Sequence, residues 1–162
     1  MKLTLTALAF AAVAAVPAFA AGDAEAGKKV FNQCQTCHAV VDPDGNVLAG
    51  KNAKTGPNLY AVVGRVAGSY PEFKYGEGIL ELNGTGYVWT EEDLAVYVQD
   101  PTKFLVEKTG DKKAKSKMMF KIKKAEDAAN VAAFLVSLAP AATDAAAPAE
   151  GEAAPAEGEA TN

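Results

Sequence analysis

Five consecutive residues, Cys34-Gln35-Thr36-Cys37-His38, contain both cysteines and the single histidine of this chain. The spacing Cys-x-x-Cys-His is the attachment signature of c-type haem. Each thiol can add to one of the two vinyl groups of a porphyrin, and the resulting thioethers hold the cofactor covalently. The imidazole of His38 then lies where it can bind the iron from one side. The motif therefore predicts one covalently bound haem, around which the chain has to fold.

Other uses of the same residues are less compatible with the sequence. A zinc site normally needs four ligands, and two cysteines with one histidine leave it one ligand short. A thioredoxin-like redox pair is expected at the start of a helix that follows a strand, and no strand is predicted upstream. A disulfide between Cys34 and Cys37 is sterically possible but gives no reason for the histidine. Haem attachment explains all three side chains.

Residues 1–20 have the features of a cleavable bacterial export signal. Lys2 supplies a positive charge, residues 3–16 are poor in polar side chains, and Ala18-Phe19-Ala20 is a small-residue cleavage site. The apolar stretch is too short to serve as a membrane span. We therefore expect cleavage after Ala20 and localisation in the periplasm.

Residues 139–162 have the composition of a disordered tail. They are almost entirely Ala, Pro, Glu, Gly, Asp and Thr, with five acidic residues and no basic one. Without aromatic or large aliphatic side chains, the segment cannot bury enough apolar surface to offset its chain entropy. What remains, residues 21–138, has the size of one small domain.

Positive charge is concentrated in the second half of this domain. Residues 103–124 contain nine lysines but only two acidic residues. Such a patch can steer a protein onto an acidic partner, although the alternative is a solvated loop without a partner. Nucleic-acid binding is disfavoured, because the lysines are not interleaved with aromatic residues and the expected location is the periplasm. The candidate docking residues are Lys103, Lys112, Lys113, Lys115, Lys117 and Lys121.

Capping residues and hydrophobic spacing predict an all-α fold. Asp23 can cap a first helix whose apolar face extends from Gly27 to the haem-anchoring residues and His38. Residues 41–58 are rich in Pro and Gly and are expected to form a loop. Four more helices are expected: residues 71–82, residues 91–100 after the capping pair Thr90 and Asp93, residues 101–106, and a last helix from about residue 126 to residue 138.

The residues alone leave the identity of the second axial ligand open. If only His38 binds the iron, the sixth position is open and suits the binding or activation of a small molecule. An electron carrier needs that position filled, and Met118 and Met119 are the candidates left after signal removal. Neighbours on an extended segment point in opposite directions, so only one of them can reach the iron. Both methionines could instead fill gaps in the core.

A series of short motifs follows in a fixed order along the domain, and together they are far more specific than any one of them. They occupy residues 27–31, 55–60, 64–65, 73–75, 87–90, 97–101 and 117–120, with the Cys-x-x-Cys-His motif after the first. In this order and spacing the chain resembles class I cytochrome c, most closely the larger bacterial cytochromes c2 and c550. The loops at residues 41–54 and 106–116 are longer than in the most compact members of that family.

The resemblance implies a small all-α fold wrapped around one haem c. It also implies a monomeric one-electron carrier, not an enzyme, that docks on acidic faces of redox complexes without inserting into the membrane. Expected partners are a quinol:cytochrome c oxidoreductase and a terminal oxidase, a reductase or a photosynthetic reaction centre. The competing class, a haem enzyme or gas sensor, needs a distal acid–base residue, and the chain has no spare histidine for that role.

The resemblance also implies roles for individual residues. The family pattern Lys-Met-x-Phe places Met118 on the iron and Met119 at a variable position. Ser116 stands where many relatives have threonine, which preserves a hydroxyl. The carbonyl of Pro57 would accept a hydrogen bond from His38. Tyr75 and Trp89 would donate to a haem propionate, and Arg65 would be the cation beside that propionate. Tyr97 would pack beside the methionine. The first and last helices would meet through Gly27, Phe31, Val131, Phe134 and Leu135.

Overall fold

Helices dominate the computed structural model, which describes residues 22–139. The proposed signal, residues 1–20, and residues 140–162 of the proposed tail lie outside the described residues. Within the described part, no helix is long and apolar enough to cross a membrane. The elements in chain order are α1 (Ala24–Phe31), β1 (Ala39–Val41), β2 (Val47–Gly50), α2 (Glu77–Gly84), α3 (Glu91–Gln99), α4 (Pro101–Thr109) and α5 (Ala125–Ser137).

Helix α1 begins where its cap predicts but ends earlier than expected. The Asp23 carboxylate accepts from the N–H groups of Glu25 and Ala26 at 2.8 and 3.0 Å. The helix stops at Phe31, so the prediction of a helical face continuing to His38 was wrong. Residues 32–37 form successive turns instead, in which the N–H groups of residues 37 and 38 both donate to the carbonyl of Cys34 at 3.0 Å. These turns present the cysteines and the histidine as one compact group.

Helices α1 and α5 cross in direct backbone contact, as the resemblance predicts. A Cβ added to Gly27 would lie 1.9 Å from the carbonyl oxygen of Asn130, so a side chain is not tolerated there. The rings of Phe31 and Phe134 pack beside this crossing with their centroids 5.5 Å apart. The Asn130 side chain also accepts from the Asp23 N–H at 2.7 Å. The crossing thereby fixes Asp23 and helix α1 against helix α5.

The predicted loop at residues 41–58 contains part of a β-hairpin, which is a correction to the sequence interpretation. Strands β1 and β2 pair antiparallel, with Val40 opposite Ala49 and an irregularity between Val40 and Val41. The turn is closed by Gly45 at φ 86° and by the Asp42 carboxylate, which accepts from the Asn46 N–H at 2.8 Å. Asp44-Gly45 between two apolar segments is a hairpin signal, which the Pro and Gly content of the surrounding residues obscured.

Two other helix boundaries differ from the prediction. Helix α2 starts at Glu77 instead of residue 71, since Glu72 adopts a left-handed backbone with φ 61° that a helix cannot contain. Helix α4 continues past residue 106 to Thr109 and ends at Gly110, which is left-handed at φ 78°. The remaining predicted boundaries are confirmed: Thr90 caps α3, Pro101 opens α4, and α5 ends before Pro140. The Asp100 side chain caps α4, which was not predicted.

Candidate functional site

A cavity of about 970 Å³ lies between the turns after α1, the segment at residues 54–76, helices α3 and α5, and the segment at residues 116–120. This volume is at the upper end of the range for small-molecule and cofactor pockets. Of the six candidate docking lysines, only Lys117 is among its lining residues. The haem-site residues proposed from the sequence all line it: Cys34, Cys37, His38, Pro57, Arg65, Tyr75, Trp89, Tyr97 and Met118.

Cys34 and Cys37 are half-buried free thiols at one wall of this cavity. Burial raises the pKa of Cys34 to about 11, and the neighbouring Cys37 adds to the shift. A raised pKa is the opposite of what a redox-active Cys-x-x-Cys pair needs, because the thiolate is the reactive form. The environment therefore disfavours the redox-dithiol interpretation and leaves covalent attachment as the use that fits.

The imidazole of His38 is held in one tautomer. Its Nδ1 lies 2.9 Å from the carbonyl oxygen of Pro57, and since a carbonyl only accepts, Nδ1 carries the proton. Burial lowers the pKa of His38, while the hydrogen bond to Pro57 acts in the opposite direction. The neutral ring then has an unprotonated Nε2, which is the form that binds a metal.

Gly56 is the site residue that sequence reasoning did not single out. A Cβ at this position would lie 2.3, 2.5 and 2.7 Å from Cε1, Nδ1 and Nε2 of His38, so the imidazole ring packs directly on the glycine. Its only signal in the sequence was its place beside Pro57 in the motif at residues 55–60. Because glycine has no side chain, the His38 ring can pack against the backbone at this position, which any other residue type would prevent.

The two methionines are placed in different environments. Met118 is half-buried against the core, whereas the side chain of Met119 is 82% exposed. The Met118 N–H donates to the Ser116 hydroxyl at 3.0 Å, and the same hydroxyl pairs with the Tyr97 hydroxyl at 3.0 Å. Burial raises the pKa of Tyr97, although the bond to Ser116 counteracts it. Ser116 thereby links Tyr97 to the backbone that carries Met118.

Arg65 brings a half-buried positive charge to the cavity. Its guanidinium donates to the carbonyls of Tyr60 and Asn58 at 3.0 and 2.9 Å and lies over the ring of Tyr70. Among residues 22–139, no carboxylate forms an ion pair with it. Burial lowers the pKa of Arg65. Burial raises the pKa of Tyr75, and the positive charge of Arg65 acts against that increase. A cation and a phenol without a carboxylate partner suit an anionic group of a cofactor.

Trp89 forms one side of the cavity within an aromatic cluster. Its side chain is 6% exposed and stacks on the ring of Phe104, with the two ring centroids 5.5 Å apart. The ring of Tyr97 meets it edge-on, with a centroid distance of 5.0 Å. Phe104, on α4, was not identified from the sequence, since it carries no signal beyond an apolar position in a helix. Apolar side chains complete the walls, and they include Leu59, Val62, Ile79, Leu94, Val98 and Leu135.

These observations together test whether a haem fits. A large apolar cavity has two thiols and a metal-binding imidazole on one side, two thioether side chains among its lining residues, and an uncompensated cation in its wall. That set matches an apolar macrocycle with a central metal and acidic substituents. When bound, such a group supplies one-electron redox chemistry, and the protein supplies ligands and surroundings.

Comparison with known proteins agrees with this geometry. A family model described as cytochrome c matches residues 24–139. The chain is 60% identical over 142 residues to cytochrome c2 of Cereibacter sphaeroides, covering 86% of this chain and 98% of the relative. It is 51% identical over 154 residues to cytochrome c-550 of Paracoccus versutus, covering 93% and 98%.

Solved structures give the same result. Cytochrome c2 from Rhodobacter sphaeroides superposes with a TM-score of 0.70 and 62% identity, covering 72% of this chain and 95% of the other. Ferric cytochrome c-550 from Paracoccus versutus gives a TM-score of 0.69 and 52% identity, covering 74% and 99%.

The fold and the pocket define a haem-binding electron-transfer protein, and the chain belongs to the cytochrome c family. It has the class I fold, with cytochromes c2 and c-550 among its relatives. The predicted all-α class, the single covalently bound haem c with its iron, and electron transfer in place of enzymatic catalysis are confirmed at the level of the family.

Proposed function

We propose that the protein is a soluble, monomeric periplasmic electron carrier whose haem iron is bound by His38 and Met118. The observation that carries this proposal is that His38 and Met118 line one cavity with Cys34 and Cys37. Met119 also borders this cavity, but its side chain is 82% exposed, whereas that of Met118 is half-buried. The carrier would move electrons between a quinol:cytochrome c oxidoreductase and a terminal oxidase, a reductase or a photosynthetic reaction centre. Names of the relatives, cytochrome c2 and cytochrome c-550, support the carrier role.

The proposed ligand set suits this function. Histidine and methionine ligation raises the potential of a c-type haem and keeps the iron six-coordinate. The Pro57 carbonyl, 2.9 Å from Nδ1, would hold the His38 ring in a fixed orientation and increase its basicity as a ligand. Arg65, Tyr75 and Trp89 would surround a haem propionate. The positive charge of Arg65 would offset the negative charge of the propionate. In this role the site moves no proton and cleaves no bond.

The proposed docking face comprises six lysines around the methionine segment: Lys103, Lys112, Lys113, Lys115, Lys117 and Lys121. All six are exposed. Three of them have partners, since Lys103 pairs with Glu107, Lys121 pairs with Asp100, and Lys117 donates to the carbonyl of Lys74. Among the described residues, no carboxylate pairs with Lys112, Lys113 or Lys115. These three therefore contribute the least compensated charge to the face.

Reversing the charges of Lys112, Lys113 and Lys115 to Glu should slow bimolecular electron transfer to an acidic partner by about tenfold or more at low salt. Steering by exposed charge acts over about 8 Å at physiological ionic strength, so the wild-type rate should also fall as salt is added. The midpoint potential should be nearly unchanged. Stopped-flow mixing with the partner at several salt concentrations measures the rates.

The matched control reverses Lys28, Lys29 and Lys51, which are exposed and lie outside the lysine-rich segment at residues 103–124. This variant has the same net charge and should transfer electrons faster than the docking-face variant. Equal rates in the two variants, or a wild-type rate indifferent to salt, would favour an apolar docking surface over the lysines.

We also propose the domain organisation of a removable signal over residues 1–20, a haem domain over residues 21–138, and an acidic tail over residues 139–162. A chain ending at Pro140 should keep the wild-type spectrum, and its thermal midpoint should fall by no more than about 2 °C, because the tail offers no large apolar side chain to the core. Thermal unfolding followed at the haem band measures this. A large loss of stability would show that the tail packs on the domain.

A further inference from the structure

The backbone that carries Met118 rests directly on helix α2. Gly78 is buried in the first turn of that helix. A Cβ at Gly78 would lie 2.9 Å from the carbonyl oxygen and 3.1 Å from the nitrogen of Lys115, and 3.0 Å from Cδ1 of Leu105. The Leu105 side chain is fully buried and the Lys115 atoms are backbone, so neither neighbour can yield easily. The absence of a side chain at Gly78 therefore lets α2 support the segment.

Helix α4 provides a second support one residue further along. The hydroxyl of Thr102 accepts from the Ser116 N–H at 3.3 Å. The Ser116 hydroxyl in turn accepts from the Met118 N–H at 3.0 Å and pairs with the Tyr97 hydroxyl at 3.0 Å. A continuous series of hydrogen bonds thus runs from α4 to the backbone of Met118. Gly78 and Thr102 hold adjacent residues of the same segment from two helices.

We propose that Gly78 and Thr102 are positioning residues that set how firmly Met118 is held at the iron. This inference rests on the proposed ligation by Met118 and adds the part of the fold that maintains it. Neither residue is among those lining the haem cavity, so each would act only through residues 115 and 116. Because an electron carrier must keep its ligand in both oxidation states, a firmly held segment excludes competing ligands from the iron.

The first test replaces Gly78 by Ala and measures the rate at which imidazole binds to the ferric holoprotein. Imidazole can bind only after Met118 leaves, so the rate reports how often the segment opens. Overpacking against the Lys115 backbone should raise this rate by about tenfold. Gly84→Ala is the matched control, since it lies in the same helix and a Cβ there has no neighbour within 4 Å. Its rate should remain that of the wild type.

The second test removes the hydroxyl without adding bulk. Thr102→Val should also accelerate imidazole binding, and Thr102→Ser, which restores an acceptor, should recover the wild-type rate. Amide hydrogen exchange of the holoprotein gives a second readout independent of electron transfer. In Gly78→Ala and Thr102→Val, exchange should quicken at Ser116 and Met118 while the amide of Val131 in α5 is unchanged, which a general loss of stability would not produce.

Met118→Ala distinguishes failure of this inference from failure of the proposed ligation. If Met118→Ala binds imidazole at the wild-type rate, Met118 is not the ligand and the proposed function loses its axial assignment. If Met118→Ala binds rapidly but Gly78→Ala and Thr102→Val behave as the wild type, the positioning role is overturned. Should Gly78→Ala yield no holoprotein, the comparison of Thr102→Val with Thr102→Ser decides the matter alone.

Discussion

Replacing Met118 by Ala should open the sixth position of the iron and convert the protein from a carrier into a carbon monoxide binder. The Met118 side chain is half-buried and lines the cavity, and the single histidine, His38, is the other ligand that we propose. Loss of a thioether ligand should lower the midpoint potential by more than about 100 mV, a modest part of the ~0.8 V range over which axial ligands tune haems. Potentiometric titration and carbon monoxide binding to the reduced protein measure both effects.

Met119→Ala is the matched control for this change. It removes the same side chain from the adjacent position, where it is 82% exposed, and should leave both the potential and the spectrum near those of the wild type. The assignment would be reversed if the Met119 variant bound carbon monoxide and the Met118 variant did not.

Gly56→Ala should displace the His38 ring and weaken haem binding. The added Cβ would overlap three atoms of the His38 ring at 2.3–2.7 Å, and the ring cannot move away without lengthening its hydrogen bond to the Pro57 carbonyl. Loss of such supporting contacts typically weakens metal binding by about 10- to 100-fold. We therefore expect a lower yield of holoprotein and a thermal midpoint reduced by about 5 °C or more.

Two variants separate this effect from a general effect of the mutation. Gly84→Ala places its Cβ in open space and should not lower stability. Pro57→Ala keeps the backbone carbonyl that accepts from His38 and should be milder than Gly56→Ala. A Gly56→Ala protein with the wild-type yield, thermal midpoint and spectrum would show that the His38 ring does not need a glycine at residue 56.

The parts of the fold that local chemistry determines were accessible from the sequence. Asp23 and Thr90 cap helices because their side chains accept from N–H groups two or three residues further on, and Pro101 suits the first position of a helix. The haem anchors were equally clear, since three rare side chains fall within five residues. Such signals need no knowledge of distant segments.

The features that were missed depend on contacts between distant segments. Gly56 is constrained by the ring of His38, and Phe104 by the face of Trp89, and neither relation leaves a local pattern. The hairpin in residues 39–50 was hidden because its turn has the same Pro and Gly content as a loop. For the methionines, alternation along an extended segment predicts that only one can face an iron, and the preference for Met118 came from the resemblance to cytochrome c.

A one-electron carrier needs an iron with all six coordination positions filled. Potentiometric titration of the purified wild-type protein under argon and under carbon monoxide tests this most directly. The account predicts one reversible one-electron transition at a positive potential, with the same midpoint in both atmospheres, because His38 and Met118 leave no position for the gas. A midpoint that rises under carbon monoxide would show an open sixth position, and would contradict the proposed carrier.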